Sequence, residues 1–536
     1  MSYQWSYGDI LEAVEKITPE DQPALIHGDR VTNWGSFVHR TNNLARNLLA
    51  SGVEPGEKIA FYMRNCPEYS EGIAAGFKAG LTHVNVNYRY IEQELIYLLD
   101  NSDATVVIYN SEFQHYVDEI KNQLLGVKLW LVVDDGRTSA YENMANNGDG
   151  SSPNIKHSPD DLLFLYTGGT TGMPKGVMWR HDDLFQVLGA GGNARLGTPP
   201  CADLAEFLER LKANPKTVNL PLPPLMHGTG LLSAVGAMAA GGTCITLTSQ
   251  SFEPKLALEN ITKHKVTQVT IVGDAFARPM LEVLDENPEE YDISSVSVIN
   301  SSGVMWTREI KAGLLKHNEN LLLSDAFSSS EAIGIGTSLM TKDQTIDVAK
   351  FSLGPNCKVF SLDLIEVKPG TGESGMVAVR GFLPVGYYKD QEKTDKTFKI
   401  IDGVRYSIPG DWVRVEDDGS LTLLGRGSNC INTAGEKVYP EEVEEALKLH
   451  DTIADALVVG VKDAKWGQSI TAVVQPNDGC MIDELELKKF SRKHLAAYKL
   501  PKQILVKGNL NRAPNGKADY KSIQEYAERQ LGITKV

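Results

Sequence analysis

Short apolar runs alternate with amphipathic stretches through the first four-fifths of the chain. Lys58–Tyr62, Ala104–Tyr109, Leu129–Val133, Leu162–Tyr166, Thr243–Leu247, Val266–Val272 and Ser295–Asn300 read as strands. Ser36–Leu49 and Glu92–Asn101 between them carry helical spacing. Strand and helix in alternation predict an α/β protein with largely parallel sheets. Asp134–Asp161 is rich in Asn, Gly, Ser and Asp and reads as a surface loop. Residues 197–217 look like an insertion. Within it Leu204, Phe207, Leu208 and Leu211 fall on one helix face, which reads as a helix docked on the body. A wall of a substrate pocket or a dimer contact is the sharper alternative.

After Leu421 the grammar changes. A helix over Glu441–His450 is followed by apolar runs Ala456–Val461 and Ile470–Gln475, a helix near Leu485–Leu495 and a tail helix after Asp519. This predicts a separate small α+β domain of roughly a hundred residues.

The chain has 536 residues, enough for one large body and an appendage. Its net charge of −16 argues against a nucleic-acid partner, although a few local cations can still hold phosphates. The six cysteines are scattered, without a Cys-x-x-Cys pair, and read as reduced thiols of a cytoplasmic protein. Met1–Ile10 lacks the basic-then-apolar pattern of a signal peptide. Thr217–Phe252 carries no Asp, Glu, Lys or Arg, but its prolines and glycines fit a buried helix between turns rather than a membrane span.

The most informative segment is Tyr166-Thr167-Gly168-Gly169-Thr170-Thr171-Gly172-Met173-Pro174-Lys175-Gly176. It follows a strand. Its glycines let backbone N–H groups approach a ligand, its threonines add hydroxyls and Lys175 adds charge, all suited to a polyphosphate. It is not a Walker A loop, because no Gly-Lys-Ser/Thr occurs at the required spacing. A Gly-x-Gly-x-x-Gly match at Gly370, Gly372 and Gly375 leads into a strand-like run, not a helix, and reads as a turn.

Tyr166–Gly176 closely resembles the signature loop of the adenylate-forming superfamily, which includes acyl-CoA synthetases, luciferases and peptide-synthetase adenylation domains. The other motifs of that family follow in order over nearly the whole chain. The resemblance implies a large N-terminal body over residues 1–426 and a small mobile domain over 427–536. It implies phosphate contacts from Thr167, Gly168, Gly169, Thr170, Thr171, Gly172 and Lys175. Pro223–Gly228 resembles the family's proline–histidine motif, placing His227 near the reacting carboxylate and Gly228 in the acyl pocket. Ser301-Ser302-Gly303-Val304-Met305 sits where the family carries its adenine-binding strand end, with Gly303 against the nucleotide and Met305 facing the acyl group. Phe327-Ser328-Ser329-Ser330-Glu331 stands for the family's Tyr-Gly-x-Thr-Glu: Phe327 would stack on adenine, Ser328 and Ser330 would contact the nucleotide, and Glu331, with Thr170, would hold Mg²⁺.

Further on, Asp411 of Tyr406–Asp411 and Arg426 match the ribose contacts, Ser428 the hinge, Gly435 the glycine against the pantetheine arm of CoA, and Lys517 of Arg512–Lys517 the catalytic lysine. Gly168 and Ser428 depart from the commonest residues at their positions. Both departures, with Val272–Pro279 and Met178–His181, resemble a bacterial subgroup acting on steroid side-chain and related bulky acids, and Asp274 would lie in that subgroup's acyl pocket. The resemblance therefore implies an ATP- and Mg²⁺-dependent acyl-CoA synthetase with Lys517, Glu331 and His227 at its chemistry. The acid would be fatty, branched or a steroid side chain. Two alternatives stay open: transfer of the acyl group to a carrier protein, and a nucleotide sensor without chemistry. A homodimer is also open.

Overall fold

A computed structural model describes residues 3–134, 139–167, 173–193, 197–304, 306–343, 350–429, 431–433, 436–463, 467–495, 497–513 and 516–533, with backbone alone at 426, 428, 432, 436, 437 and 467. Lys58–Tyr62 and Ala104–Asn110, continuous apolar runs, become strands buried on both faces, as parallel pairing under helices requires, while Leu129–Val133 at the sheet edge is half-buried. Lys58–Tyr62, Thr82–Asn85, Ala104–Asn110 and Leu129–Val133 pair in parallel, and Leu162–Thr167 pairs in parallel with Thr82–Asn85. Antiparallel additions close one side of this sheet: Lys175–Arg180 on Leu162–Thr167, then Gly386–Tyr387 at the edge.

A second sheet of the same unit runs Ala332–Met340, Leu322–Ser329, Val298–Ser302, Gln268–Ile271, Val218–Pro221, Thr243–Thr246, Pro23–His27, Arg30–Asn33. The uncharged stretch is strand, helix, strand, with the helix Gly228–Ala239 at its centre. Leu231, Val235 and Met238 of that helix join Ile59, Phe61, Leu163 and Leu165 of the first sheet and Leu25 and Cys244 of the second in one core. The helix is apolar because it lies between two sheets. Among the described residues no helix is long and apolar enough to cross a membrane.

By contacts along the chain, Met1–Val348, Arg380–Ile400 and Arg405–Ser407 form one unit, and Ala349–Val379, Ile401–Val404 and Ile408–Val536 another. The smaller unit holds an antiparallel sheet, Cys357–Phe360, Ser374–Arg380, Asp411–Val415, Leu421–Arg426, Lys350–Leu353. It also holds a second sheet in which Ile453–Asp463 and Gly467–Pro476 form a long hairpin and Gln503–Val506 adds in parallel. The α/β class and the smaller α+β C-terminal part expected from sequence are both present.

The loop expected over Asp134–Asp161 is corrected by the structure. Ala140–Asn146 is a helix, capped by Ser139, whose hydroxyl accepts from the Glu142 N–H at 3.2 Å. Its anchor is remote. Arg40 of helix Trp34–Ala50 bonds both Glu71 (2.8 Å) and Glu142 (2.7 Å) in a buried network with Tyr141. Desolvation alone would lower the affinity of Arg40 for its proton, but its two carboxylate partners raise it well above the usual range. The insertion forms the helix Leu204–Ala213, and Phe207 is buried against Trp5 and Phe185 at ring distances of 5.8 and 5.5 Å. That is the docked-helix reading.

Glu444, in helix Pro440–Lys448, is buried and accepts from the Val458 N–H at 2.8 Å and the Tyr520 O–H at 3.1 Å. Burial, reinforced by Glu441, pushes its carboxyl up to about 8. A carboxyl with a raised folded-state pKa binds protons in the folded state that the unfolded state has released. Stability therefore falls as pH rises from about 4.5 to about 8 and is level above that. Glu444→Gln removes this loss. The variant should unfold at higher temperature than the parent at pH 8 to 9, with the gain shrinking towards pH 5. Equal melting curves at pH 8.5 would show that the charge costs nothing there.

Candidate active site

The phosphate-loop motif is held by its flanks. Residues 168–172, and with them Gly168, Gly169, Thr170, Thr171 and Gly172, lie outside the described residues. On either side Thr167 faces Lys175 and Tyr166 faces Gly176 across antiparallel strands, so the loop is the connection of a hairpin. Gly176 is required by close approach, because a Cβ there would stand 2.7 Å from the Tyr166 ring. Lys175 forms an ion pair with Asp390, which also caps helix Gln391–Thr397 by accepting from the Lys393 N–H at 2.9 Å.

The proline–histidine motif is fastened to this hairpin by a residue that sequence reading passed over. Asn85, at the end of its strand, accepts from the Tyr166 N–H at 2.7 Å and donates to the Tyr166 and Met226 carbonyls at 2.9 and 2.6 Å. Asn65 adds a second clamp, donating to the Pro223 carbonyl at 3.2 Å and accepting from the Leu225 N–H at 2.7 Å. His227 precedes the helix Gly228–Ala239 as its N-cap residue, and its N–H donates to the Pro224 carbonyl at 3.0 Å. Gly230 lets the helix turn tightly under the prolines, since a Cβ there would meet the Pro223 carbonyl oxygen at 2.6 Å.

Glu331 lies at the two-residue turn between Leu322–Ser329 and Ala332–Met340, with Ser329 facing Ala332. A carboxylate at a hairpin tip is normally solvated, yet Glu331 is 9% exposed. The Tyr387 O–H donates to its Oε1 at 2.7 Å, the Ser407 hydroxyl to its carbonyl at 2.6 Å, and the Trp179 indole N–H to the Ser330 carbonyl at 2.9 Å. Trp179 and Tyr387 sit on adjacent strands that continue from the phosphate hairpin, with Tyr387 facing Val177. The turn is thus tied to the phosphate hairpin from two neighbouring strands. Phe327 is buried, and the Ser328 hydroxyl accepts from the Gly334 N–H at 3.2 Å.

The remaining motif residues divide into two sets. Gly303 follows strand Val298–Ser302 with φ +100°, and Met305 lies outside the described residues. Asp274 accepts from the Thr307 N–H at 3.0 Å and from Arg278 at 3.4 Å, contacts that brace two segments of the second sheet's layer. In the smaller unit, Asp411 and Arg426 face each other across paired strands, which brings the expected ribose pair together at backbone level. Ser428 falls in the short helix Gly427–Asn429 directly after that strand, and Gly435 lies outside the described residues. Lys517 is exposed beyond a tight turn in which the Gly516 N–H donates to the Ala513 carbonyl and the Ala513 N–H to the Lys517 carbonyl.

Comparison with known proteins places the chain in a family. A family model described as AMP-binding enzyme matches residues 11–388, and one for the AMP-binding enzyme C-terminal domain matches residues 442–517. The chain belongs to the AMP-binding enzyme family. This AMP-binding enzyme is 40% identical, over 95% of its length and 94% of the other chain, to a medium/long-chain-fatty-acid–CoA/3-oxocholest-4-en-26-oate–CoA ligase of Mycolicibacterium smegmatis. It is 39% identical to a 3-oxocholest-4-en-26-oate–CoA ligase of Rhodococcus rhodochrous, over 98% of its length and 96% of the relative. Its fold matches that of ATP-bound MatB from Rhodopseudomonas palustris with a TM-score of 0.82 at 21% identity, covering 98% of this chain and 100% of that one.

Proposed function

We propose that this AMP-binding enzyme is an ATP-dependent acyl-CoA synthetase that activates a medium- or long-chain fatty acid or a steroid side-chain acid. The observation that carries the reading is the joint held by Asn85. It fixes the strand entering the phosphate loop and the Met226-His227 segment to one buried side chain, which supports a site in which those two segments hold the triphosphate and the acid. The relatives' substrates supply the acid class.

Carboxylates are poor electrophiles because their leaving group would be oxide. The acid's oxygen instead attacks the α-phosphorus of ATP, the α–β bond breaks, pyrophosphate leaves and a mixed anhydride forms. Anions are brought together in this step, so positioning and cationic stabilisation dominate. Lys175 and the loop from Thr167 to Gly172 hold the phosphates, Lys517 bridges the carboxylate and α-phosphate, and Ser328 and Ser330 contact the nucleotide. Phe327 and Gly303 border adenine, Asp411 and Arg426 hold the ribose, and His227, Gly228, Asp274 and Met305 border the acid. The CoA thiolate sulfur then attacks the acyl carbon and AMP leaves. The residues from 427 onward turn about Ser428 between the steps and present Gly435 to the pantetheine arm.

Glu331 fits Mg²⁺ by its donor chemistry. Its Oε1 is occupied by Tyr387, while Oε2 has no hydrogen-bond partner among the described residues. Nor do the described residues contain a cluster of three or more metal-binding side chains, which suits an ion held by one carboxylate, Thr170 and substrate phosphates. Bound there, Mg²⁺ would neutralise charge developing on the phosphates. Five described cysteines are free thiols, which suits a reducing cytoplasmic setting.

The test is product analysis by mass after incubation with ATP, Mg²⁺, CoA and a panel of acids running from acetate through fatty acids to steroid side-chain acids. AMP and a thioester from the fatty or steroid acids are expected. An acyl-adenylate without thioester would move the acceptor to a carrier protein, and no AMP from any acid would overturn the reading.

A further inference from the structure

We infer that Tyr387 is a positioning residue for the metal carboxylate, and that it links that carboxylate to the phosphate hairpin. The inference rests on the assignment of Glu331 to Mg²⁺. A carboxylate at a hairpin turn has two free torsions and a choice of which oxygen faces a ligand. The Tyr387 O–H removes that choice by donating to Oε1 at 2.7 Å, leaving Oε2 for an ion. A phenol is a donor here and cannot compete as an anion.

Tyr387 is itself fixed from several sides. It is 5% exposed, its N–H donates to the Thr394 hydroxyl at 2.9 Å, and the Lys393 ammonium lies 4.3 Å from its ring centroid. A cation over the ring is attracted to its face and helps to hold the ring in place. Its strand pairs with Lys175–Arg180, Tyr387 facing Val177 two residues beyond Lys175. Three residues after Tyr387, Asp390 pairs with Lys175. One short stretch, Gly386–Asp390, therefore touches both the metal carboxylate and the phosphate lysine. Outer partners of metal ligands act in this way, fixing ligand orientation from behind.

The experiment measures Mn²⁺ affinity by electron paramagnetic resonance of the free ion, with the full chain and the α,β-methylene analogue of ATP, whose α–β bridge is not cleaved. No acid is present, so the readout does not depend on substrate. Tyr387→Phe keeps the ring and its packing and is expected to weaken Mn²⁺ binding about tenfold. Glu331→Gln is expected to weaken it by at least as much. The double variant should bind Mn²⁺ no more weakly than Glu331→Gln alone, because Tyr387 acts only through that carboxylate. A purely structural role would lower thermal stability without this non-additivity.

Parent-like Mn²⁺ affinity in Tyr387→Phe, or a Tyr387→Phe effect that persists undiminished in the Glu331→Gln background, would overturn the inference. Parent-like affinity in Glu331→Gln would overturn the metal assignment beneath it. Should Tyr387→Phe fold poorly, Lys393→Met offers a second arm. It removes the cation over the ring and should weaken Mn²⁺ binding in the parent background and not in the Glu331→Gln background.

Discussion

Lys517→Ala should abolish most adenylation while leaving thioester formation from a supplied acyl-adenylate close to the parent rate. The geometry favours a clean result. Arg512 anchors the turn by a two-point pair with Asp455 at 2.6 and 2.9 Å and donates to the Gly516 carbonyl at 3.2 Å. The turn's backbone is thereby fixed by Arg512, and Lys517 contributes its carbonyl, which alanine also has. The side chain is exposed, so its removal should change the melting temperature little. The charge is needed in one step only. Bringing a carboxylate to the α-phosphate needs a bridging cation, and losing one such donor costs roughly 10²–10³-fold in rate. Thiol attack on the finished anhydride releases AMP and needs no bridge between two anions. The two half-reactions are read separately, by acid-dependent ATP–pyrophosphate exchange and by thioester formation from synthetic acyl-adenylate and CoA. Equal losses in both would sink the assignment of Lys517 to the first step.

Contiguous motifs were legible in the sequence and scattered supports were not. Lys58–Tyr62 and Leu129–Val133 have the same limits in sequence and structure because each is a run of consecutive apolar residues, after Lys58 in the first, that a parallel sheet covered by helices calls for. Ala140–Asn146 was hidden because its local composition is that of a loop. Its helix is secured by Arg40, about a hundred residues earlier, and no local pattern records that pair. The same division runs through the site. The phosphate loop, the proline–histidine motif and the Glu331 turn are runs of unusual residues and announce themselves. Tyr387 and Asp390 lie in Gly386–Asp390, whose chemistry appears only when Gly386–Tyr387 pairs beside the phosphate hairpin. Asn85 left no such signal. It ends Thr82–Asn85, a strand of mixed polar and apolar residues, and its burial at every position, which makes the Asn85 amide seek partners in the interior, appears only in the fold.

Asn85→Leu should cost both stability and catalysis, through the same three hydrogen bonds. The substitution keeps the branched skeleton of asparagine with bulkier methyl ends, but it strands the Tyr166 N–H and carbonyl and the Met226 carbonyl. Asn85 is 4% exposed, so little water can replace the amide. Each stranded buried group costs about 1–3 kcal/mol. The sum of about 3–9 kcal/mol is a large share of the total stability of a folded domain. A fall of several degrees in the first unfolding transition is expected. Activity should fall further than stability explains, because the phosphate hairpin and the His227 segment lose their common anchor, and a displacement of about 1 Å at reacting groups can cost a hundredfold. Asn85→Asp separates the two effects. Its carboxylate still accepts from the Tyr166 N–H, but its other oxygen would face two carbonyl oxygens and has no proton to give. Burial beside those carbonyls would raise its pKa, so a proton bound on folding would restore one donor. Stability of Asn85→Asp should then rise as the pH falls towards 5, opposite in sign to any loss caused by protonating a carboxylate held by cations. The comparison is of melting temperature and adenylation rate at pH 5.5 and 8. A fully active Asn85→Leu enzyme at either pH would mean that the phosphate hairpin and the His227 segment are aligned without this side chain.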